Sequence, residues 1–174
     1  MDKKEFKQDN LIYYEDALLT KNIIWTIEGI HQLTVKGIWR HVRIRGYEVD
    51  ALAICNTAEE RFERYIGFEL KDTDLQKAIH QAKLRRKFFN YFYIVIDLPI
   101  HSIVEKLLHM PNFLDYKIGI ISSKNNTVVL PSKFTKMKKW EYEYECEKCR
   151  KIRPFQIDLF HFLKENEGRW NGNG

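Results

Sequence analysis

A chain of 174 residues, 44% hydrophobic and 14% aromatic, is long enough for one domain with its own core and too apolar for wholesale disorder. A net charge of +5 permits a polyanionic partner without demanding one. Three cysteines make no disulfide framework, no apolar stretch follows Met1-Asp2-Lys3-Lys4 as a signal peptide would, and the longest apolar run, Tyr91 to Ile96, is too short to span a bilayer. The expectation is a soluble, intracellular, cytoplasmic protein with no membrane partner.

Residues 1–10 are charged and polar, and fraying is expected there. From Tyr14 to about Lys36 the apolar residues Leu18, Ile23, Ile24, Ile27, Ile30 and Val35 recur at helical spacing, with Gly37 as the stop and Gly29 as a kink or the break between two helices. The period then changes. His41-Val42-Arg43-Ile44-Arg45 alternates, and Val49 to Ile54 is an apolar run holding one carboxylate, Asp50, which predicts one or two strands about a turn or bulge at Gly46. Polar residues 56–63 lead into a further strand, Tyr65 to Lys71, where Glu69 and Lys71 share one side and Phe68 and Leu70 the other.

Asp72, Thr73 and Asp74 offer caps for a helix from about Asp74 to Asn90, with Leu75, Ala78, Ile79 and Ala82 on its apolar side. Tyr93 to Asp97 reads as a buried strand ended by Pro99, His101 to His109 as a short helix stopped by Pro111. Lys117 to Ile121 and Thr127 to Leu130 read as two strands around an Asn125-Asn126 turn. The order predicts an α/β sheet with helices on its faces, occupying residues 1–130. Residues 131–174 form a basic and aromatic extension: Lys133 to Lys139, an alternating Trp140 to Glu145, a helix from Pro154 to about Glu165, and a loose tail.

Two carboxylates on neighbouring strands, Asp50 and Glu69, can hold a hard divalent cation through oxygen ligands, and Lys71 beside them can orient water or neutralise charge at a phosphodiester. Buried charges of this kind point to function, against the alternative of an ion pair on a solvated sheet face. The run Lys83, Arg85, Arg86, Lys87 is either a solvated helix face or a phosphate-binding one, and Lys136 carries the same alternatives. Arg40, Arg43 and Arg45 alternate on one strand, as an edge guarded by charge or a strip touching a nucleic-acid backbone. Cys146-Glu-Lys-Cys149 has the spacing of half a zinc site. Only His161 and distant Cys55 could add to it, so Zn²⁺ within one chain is not the leading expectation. A half-site completed by a second subunit, a redox pair and plain hairpin cysteines compete with it.

The run Val49-Asp50-Ala51, then Phe68-Glu69-Leu70-Lys71, then a helix carrying Gln81-Ala82, resembles the PD-(D/E)xK nuclease superfamily in the style of archaeal Holliday-junction resolvases and restriction endonucleases. The likeness covers roughly residues 15–130. It departs in having Val49 before Asp50 instead of proline, and in the long interval to Glu69, although loops accept insertions at small cost. The resemblance implies a restriction-endonuclease-like core with a central mixed β-sheet, and metal-dependent DNA endonuclease activity in repair, recombination or mobile-element defence. It implies Mg²⁺ or Mn²⁺ held by Asp50, Glu69 and the Leu70 carbonyl, with Lys71 positioning water. Glu28, with Glu15 as competitor, would reach the ion or its water shell, and Gln81 would support the site from the helix. Arg43, Arg45, Lys83, Arg86, Lys87 and Lys136 would contact duplex or branched DNA. The extension would grip DNA or mediate a homodimer. The competing expectation is a non-catalytic nucleic-acid-binding or assembly protein on the same fold.

Overall fold

The computed structural model describes residues 15–59 and 61–137, and the backbone of 145–146. Helix α1 spans Lys21–His31, opened by the Thr20 hydroxyl accepting from the Ile23 N–H at 3.2 Å and burying Ile23, Ile24 and Ile27. It ends at Gln32, whose left-handed backbone (φ 52°, ψ 49°) directs its N–H to the Glu28 carbonyl. The predicted helix to Lys36 is therefore too long, and Leu33–Lys36 already belong to a strand. Gly37 stops no helix; it lies at a register shift in that strand.

Strands β1 (Leu33–Ile44) and β2 (Tyr47–Thr57) form a long antiparallel hairpin. Its turn puts both Arg45 (φ 48°) and Gly46 (φ 79°) at positive φ, as a two-residue turn matched to strand twist requires. Strand β3 (Glu63–Lys71) pairs antiparallel with β2. Helix α2 (Leu75–Arg85) follows, capped by the Asp74 carboxylate accepting from the Lys77 N–H at 2.9 Å. The helix predicted to Asn90 becomes a 3-10 turn at Arg86–Phe88, which delivers the chain into β4 (Tyr91–Ile96), parallel to β3.

Helix α3 (Ile100–Leu108) and a 3-10 turn, Phe113–Tyr116, lead to β5 (Gly119–Ser122), parallel to β4. β6 (Thr127–Leu130) returns antiparallel. The sheet runs β6-β5-β4-β3-β2-β1, and a two-residue β7 (Glu145–Cys146) pairs with the outer side of β1. The protein is thus α/β, with a central mixed sheet flanked by helices.

Two apolar layers cover the sheet. Leu18, Leu19 and α1 pack on one face over Ile66, Phe68, Leu70, Tyr93 and Val95. Helix α2, Ile103 of α3 and Phe113 pack on the other over Leu52, Ile54, Phe92, Ile94 and Ile96. Packing does not stop at residue 130: Ser132 is buried, its hydroxyl bridging the Phe92 N–H and the Lys117 carbonyl at 3.0 Å each. The Thr135 N–H donates to the Asn90 carbonyl at 2.9 Å. The expected helix from Pro154, Cys149, His161 and the side chain of Cys146 lie outside the described residues. Among the described residues no helix is long and apolar enough to cross a membrane.

Candidate functional site

The last registered pair between β2 and β3 is Ala51 with Phe68. Past it the strands follow different partners. The β1–β2 hairpin continues to Ile44 opposite Tyr47, and β3 stays on β4 until Lys71 opposite Ile96. In β1, His41 lies between the residues paired with Ala51 and Val49 and has a left-handed backbone (φ 51°), so the hairpin is irregular at the level of Asp50. The Leu70 N–H, which has no ladder partner on β2 there, donates to Asp50 Oδ2 at 2.7 Å. A carboxylate thus stands where the sheet splays.

Glu69 lies on the β3 face covered by α2 and is 3% exposed. Its Oε2 accepts from Arg85 Nη1 at 2.8 Å. Lys71, on the same side of β3, points its Nζ to within 3.6 Å of Glu15 Oε1. Burial first, then the neighbouring Asp50 carboxylate, pushes the Glu69 carboxyl up to about 8, against the pull of Arg85 and Lys71. Asp50 is also raised, by burial and by Glu15, with the Leu70 N–H and the two cations opposing. With Glu15 counted, three carboxylates face the two cations Lys71 and Arg85.

Two polar side-chain atoms of α2 are left over. Gln81 Oε1 and Arg85 Nε are buried without a hydrogen-bond partner among the described residues. Gln81 and Arg85 are one helical turn apart and share a face of α2. An unsatisfied buried polar atom costs about 1–3 kcal/mol, so each of these two calls for an explanation.

The structure brings Asp50, Glu69 and Lys71 together, with Arg85 as an unexpected fourth member, while Gln81 stands one turn before Arg85 on α2. It does not bring Glu28. That side chain hangs on α1 over the opposite sheet layer, where its Oε1 accepts from the Val35 N–H at 2.7 Å and its charge bears on Cys55. Cys55 is five residues along β2 from Asp50, some ~16 Å at strand rise. Glu15 occupies the place expected of Glu28.

Arg86 is a second correction. It is buried and donates to the carbonyls of Phe89, Asn90, Lys117 and Lys133 and to Thr135 Oγ1, so no guanidinium edge is offered to a phosphate. Lys83 is exposed but bonded to Tyr116 Oη at 3.1 Å, with its Nζ 4.2 Å from that ring. Arg43 lies 3.5 Å from Glu48, Arg45 is exposed at the hairpin turn, and Lys87 and Lys136 are exposed. Arg40 is turned inward to Asp16 at 3.3 Å and so leaves the predicted strip. Cys55 is a buried free thiol on the α1 side.

His41 was not anticipated. It stands 3.8 Å from Asp16 and 3.5 Å from Glu48, and the Asp16 carboxylate beside it carries it up to about 9 despite partial burial. Its alternation with Val42 and Arg43 gave no sign of the left-handed backbone. Arg85 was visible only as part of a basic run.

As to a metal, no group of three or more His, Cys, Asp or Glu side chains among the described residues gathers closely enough to cage an ion alone. The donor set nonetheless fits a magnesium-like cation, which is held through one or two carboxylates and keeps several waters. Comparison with protein-family models, curated proteins and solved structures returns no match in any of the three.

Proposed function

We propose that this chain is a metal-dependent endonuclease that hydrolyses phosphodiester bonds in DNA, on a restriction-endonuclease-like core of the PD-(D/E)xK kind. The observation that carries the reading is the meeting of Asp50, Glu69 and Lys71 where β2 and β3 part. The order of elements supports it: a strand bearing the first acid, a strand bearing Glu-Leu-Lys, a helix bearing Gln81, and a parallel strand after it.

Asp50, Glu69 and the Leu70 carbonyl are the residues that would hold Mg²⁺ or Mn²⁺. When bound, such an ion supplies a polarised phosphoryl oxygen and a more acidic water. The chain's own residues do the rest. The Leu70 N–H fixes the Asp50 carboxylate, and α2 shields Glu69 from solvent. Lys71 Nζ, set against Glu15, orients the attacking water and meets the negative charge that grows on the phosphoryl oxygens. Exposed Arg43, Arg45, Lys87 and Lys136 add salt-dependent, sequence-independent affinity for the backbone.

One observation favours a second reading. Arg85 already gives Glu69 a cation, as in a fold kept for binding DNA after its chemistry is lost. Cleavage of supercoiled, linear and branched DNA with Mg²⁺ or Mn²⁺ separates the two. The nuclease reading expects metal-dependent cutting that vanishes in Asp50→Asn and Lys71→Ala. DNA binding without cutting, indifferent to both substitutions, selects the second.

A further inference from the structure

We propose that Arg85 is a built-in substitute for the divalent cation: it holds Glu69 while the ion is absent, and when the ion arrives it turns its fork to a phosphate oxygen of the nucleic acid. This rests on the nuclease reading and goes beyond it by assigning a residue that the Asp50, Glu-x-Lys and Gln81 pattern does not include.

The geometry supplies the grounds. Arg85 ends α2 with its side chain 15% exposed, and it donates from Nη1 to Glu69 Oε2 at 2.8 Å. A guanidinium is a rigid fork of five N–H groups suited to bidentate capture of carboxylate or phosphate. Here the fork is engaged on one arm, while Nε–H is buried with no partner among the described residues. One turn back, Gln81 Oε1 is buried in the same condition. A donor and an acceptor, both buried and neither partnered among the described residues, thus lie one turn apart on the helix that carries Arg85 to Glu69.

Competition then follows from charge. Glu69 cannot give its oxygens fully to a guanidinium and to a dication at once, and two cations about 4 Å apart repel strongly in a site shielded from water. Entry of the ion therefore weakens the Arg85–Glu69 bond. The released fork stays tethered within a side chain's length of Lys71. An anionic oxygen delivered there satisfies the Nε–H that the metal-free site leaves unmet, so the ion and the phosphate assist one another's binding.

Two variants test this, Arg85→Met and Arg85→Lys, each checked for a cooperative melt. Calorimetry with Mn²⁺ in mildly alkaline buffer, without nucleic acid, reads the first half of the exchange. Removing the competing cation in Arg85→Met is expected to tighten Mn²⁺ binding about tenfold, whereas Arg85→Lys stays near wild type. Anisotropy of a short fluorescent duplex reads the second half. With Ca²⁺ present both variants should bind it about tenfold more weakly than wild type, and with chelator present all three should bind alike.

Wild-type protein that takes up Mn²⁺ while Arg85→Met takes it up no more tightly overturns the exchange and leaves the nuclease reading standing. Unchanged duplex affinity in both variants does the same. Wild-type protein that takes up no Mn²⁺ overturns both together. If Arg85→Met does not fold, the duplex arm with Arg85→Lys decides alone.

Discussion

Arg85 and Arg86 are consecutive residues with opposite fates. Arg86 turns into a clamp, spending its guanidinium on Phe89, Asn90, Lys117, Lys133 and Thr135 and so tying the end of α2 to β4 and to the segment after β6. Asn90 completes the clamp, accepting from the Tyr65 N–H at 2.9 Å and donating to the Thr135 carbonyl at 3.1 Å. Arg85 turns toward Glu69 and is met on one arm only. A saturated polar network makes a fold rigid, while an unsaturated one keeps binding capacity in reserve. The clamp is architecture, and the splay is where the proposed chemistry sits.

The largest effect expected from that contrast is on chemistry. Asp50→Asn keeps an oxygen for the Leu70 N–H, so its melt should match wild type, but metal-dependent cutting should fall on the order of 10³-fold in a plasmid-nicking assay. An active Asp50→Asn breaks the division at its functional half.

Next is the clamp. Arg86→Met strands several buried carbonyls and should cost about 3 kcal/mol or more in urea unfolding. Cutting per folded molecule should be unchanged, and loss of DNA affinity with intact stability would instead restore Arg86 to the phosphate-binding set.

A pH series comes third. The Glu69 carboxyl ionises near 4.5 when unexceptional and only near 8 in the fold, so the folded chain holds that proton more tightly. This group's contribution to stability is complete below 4.5 and is lost as pH climbs toward 8. Unfolding midpoints of Glu69→Gln should lack this decline. Mg²⁺ should offset it in the wild type and not in the variant.

The smallest effects form a matched pair. Thr135→Val removes an acceptor that Arg86 Nη2 reaches at 2.7 Å and should cost about 1 kcal/mol. Gln81→Leu removes an acceptor with no partner among the described residues, so it should be neutral or mildly stabilising while weakening DNA binding in the presence of a divalent ion. Equal losses in the two variants would erase the distinction between saturated and unsaturated halves.

Much of the frame was legible because its signals are local. β4 declares itself by a β-branched and aromatic run, α2 by Asp74 and its apolar stripe, and β3 by strict alternation about Glu69. Where the reading failed, the deciding contact was distant or the signals overlapped. Ile27, Ile30 and Val35 keep helical spacing across a true boundary, since Gln32 adopts the left-handed cap without being glycine. Glu28 and Glu15 are alike in composition, and only the packing of α1 against the far face of the sheet separates them. Arg85 and Arg86 could not be told apart either, because successive helical residues diverge by about 100° and the switch to a 3-10 turn at Arg86 sets where each points.

The central claim is that Asp50 and Glu69 together capture a divalent ion at the parting of β2 and β3. A crystal soaked in Mn²⁺ addresses it most directly, through anomalous scattering. The account predicts a peak about 2 Å from a carboxylate oxygen of each residue, with Arg85 drawn off Glu69. A map with no peak there, and Arg85 still bonded to Glu69 at saturating Mn²⁺, would contradict it.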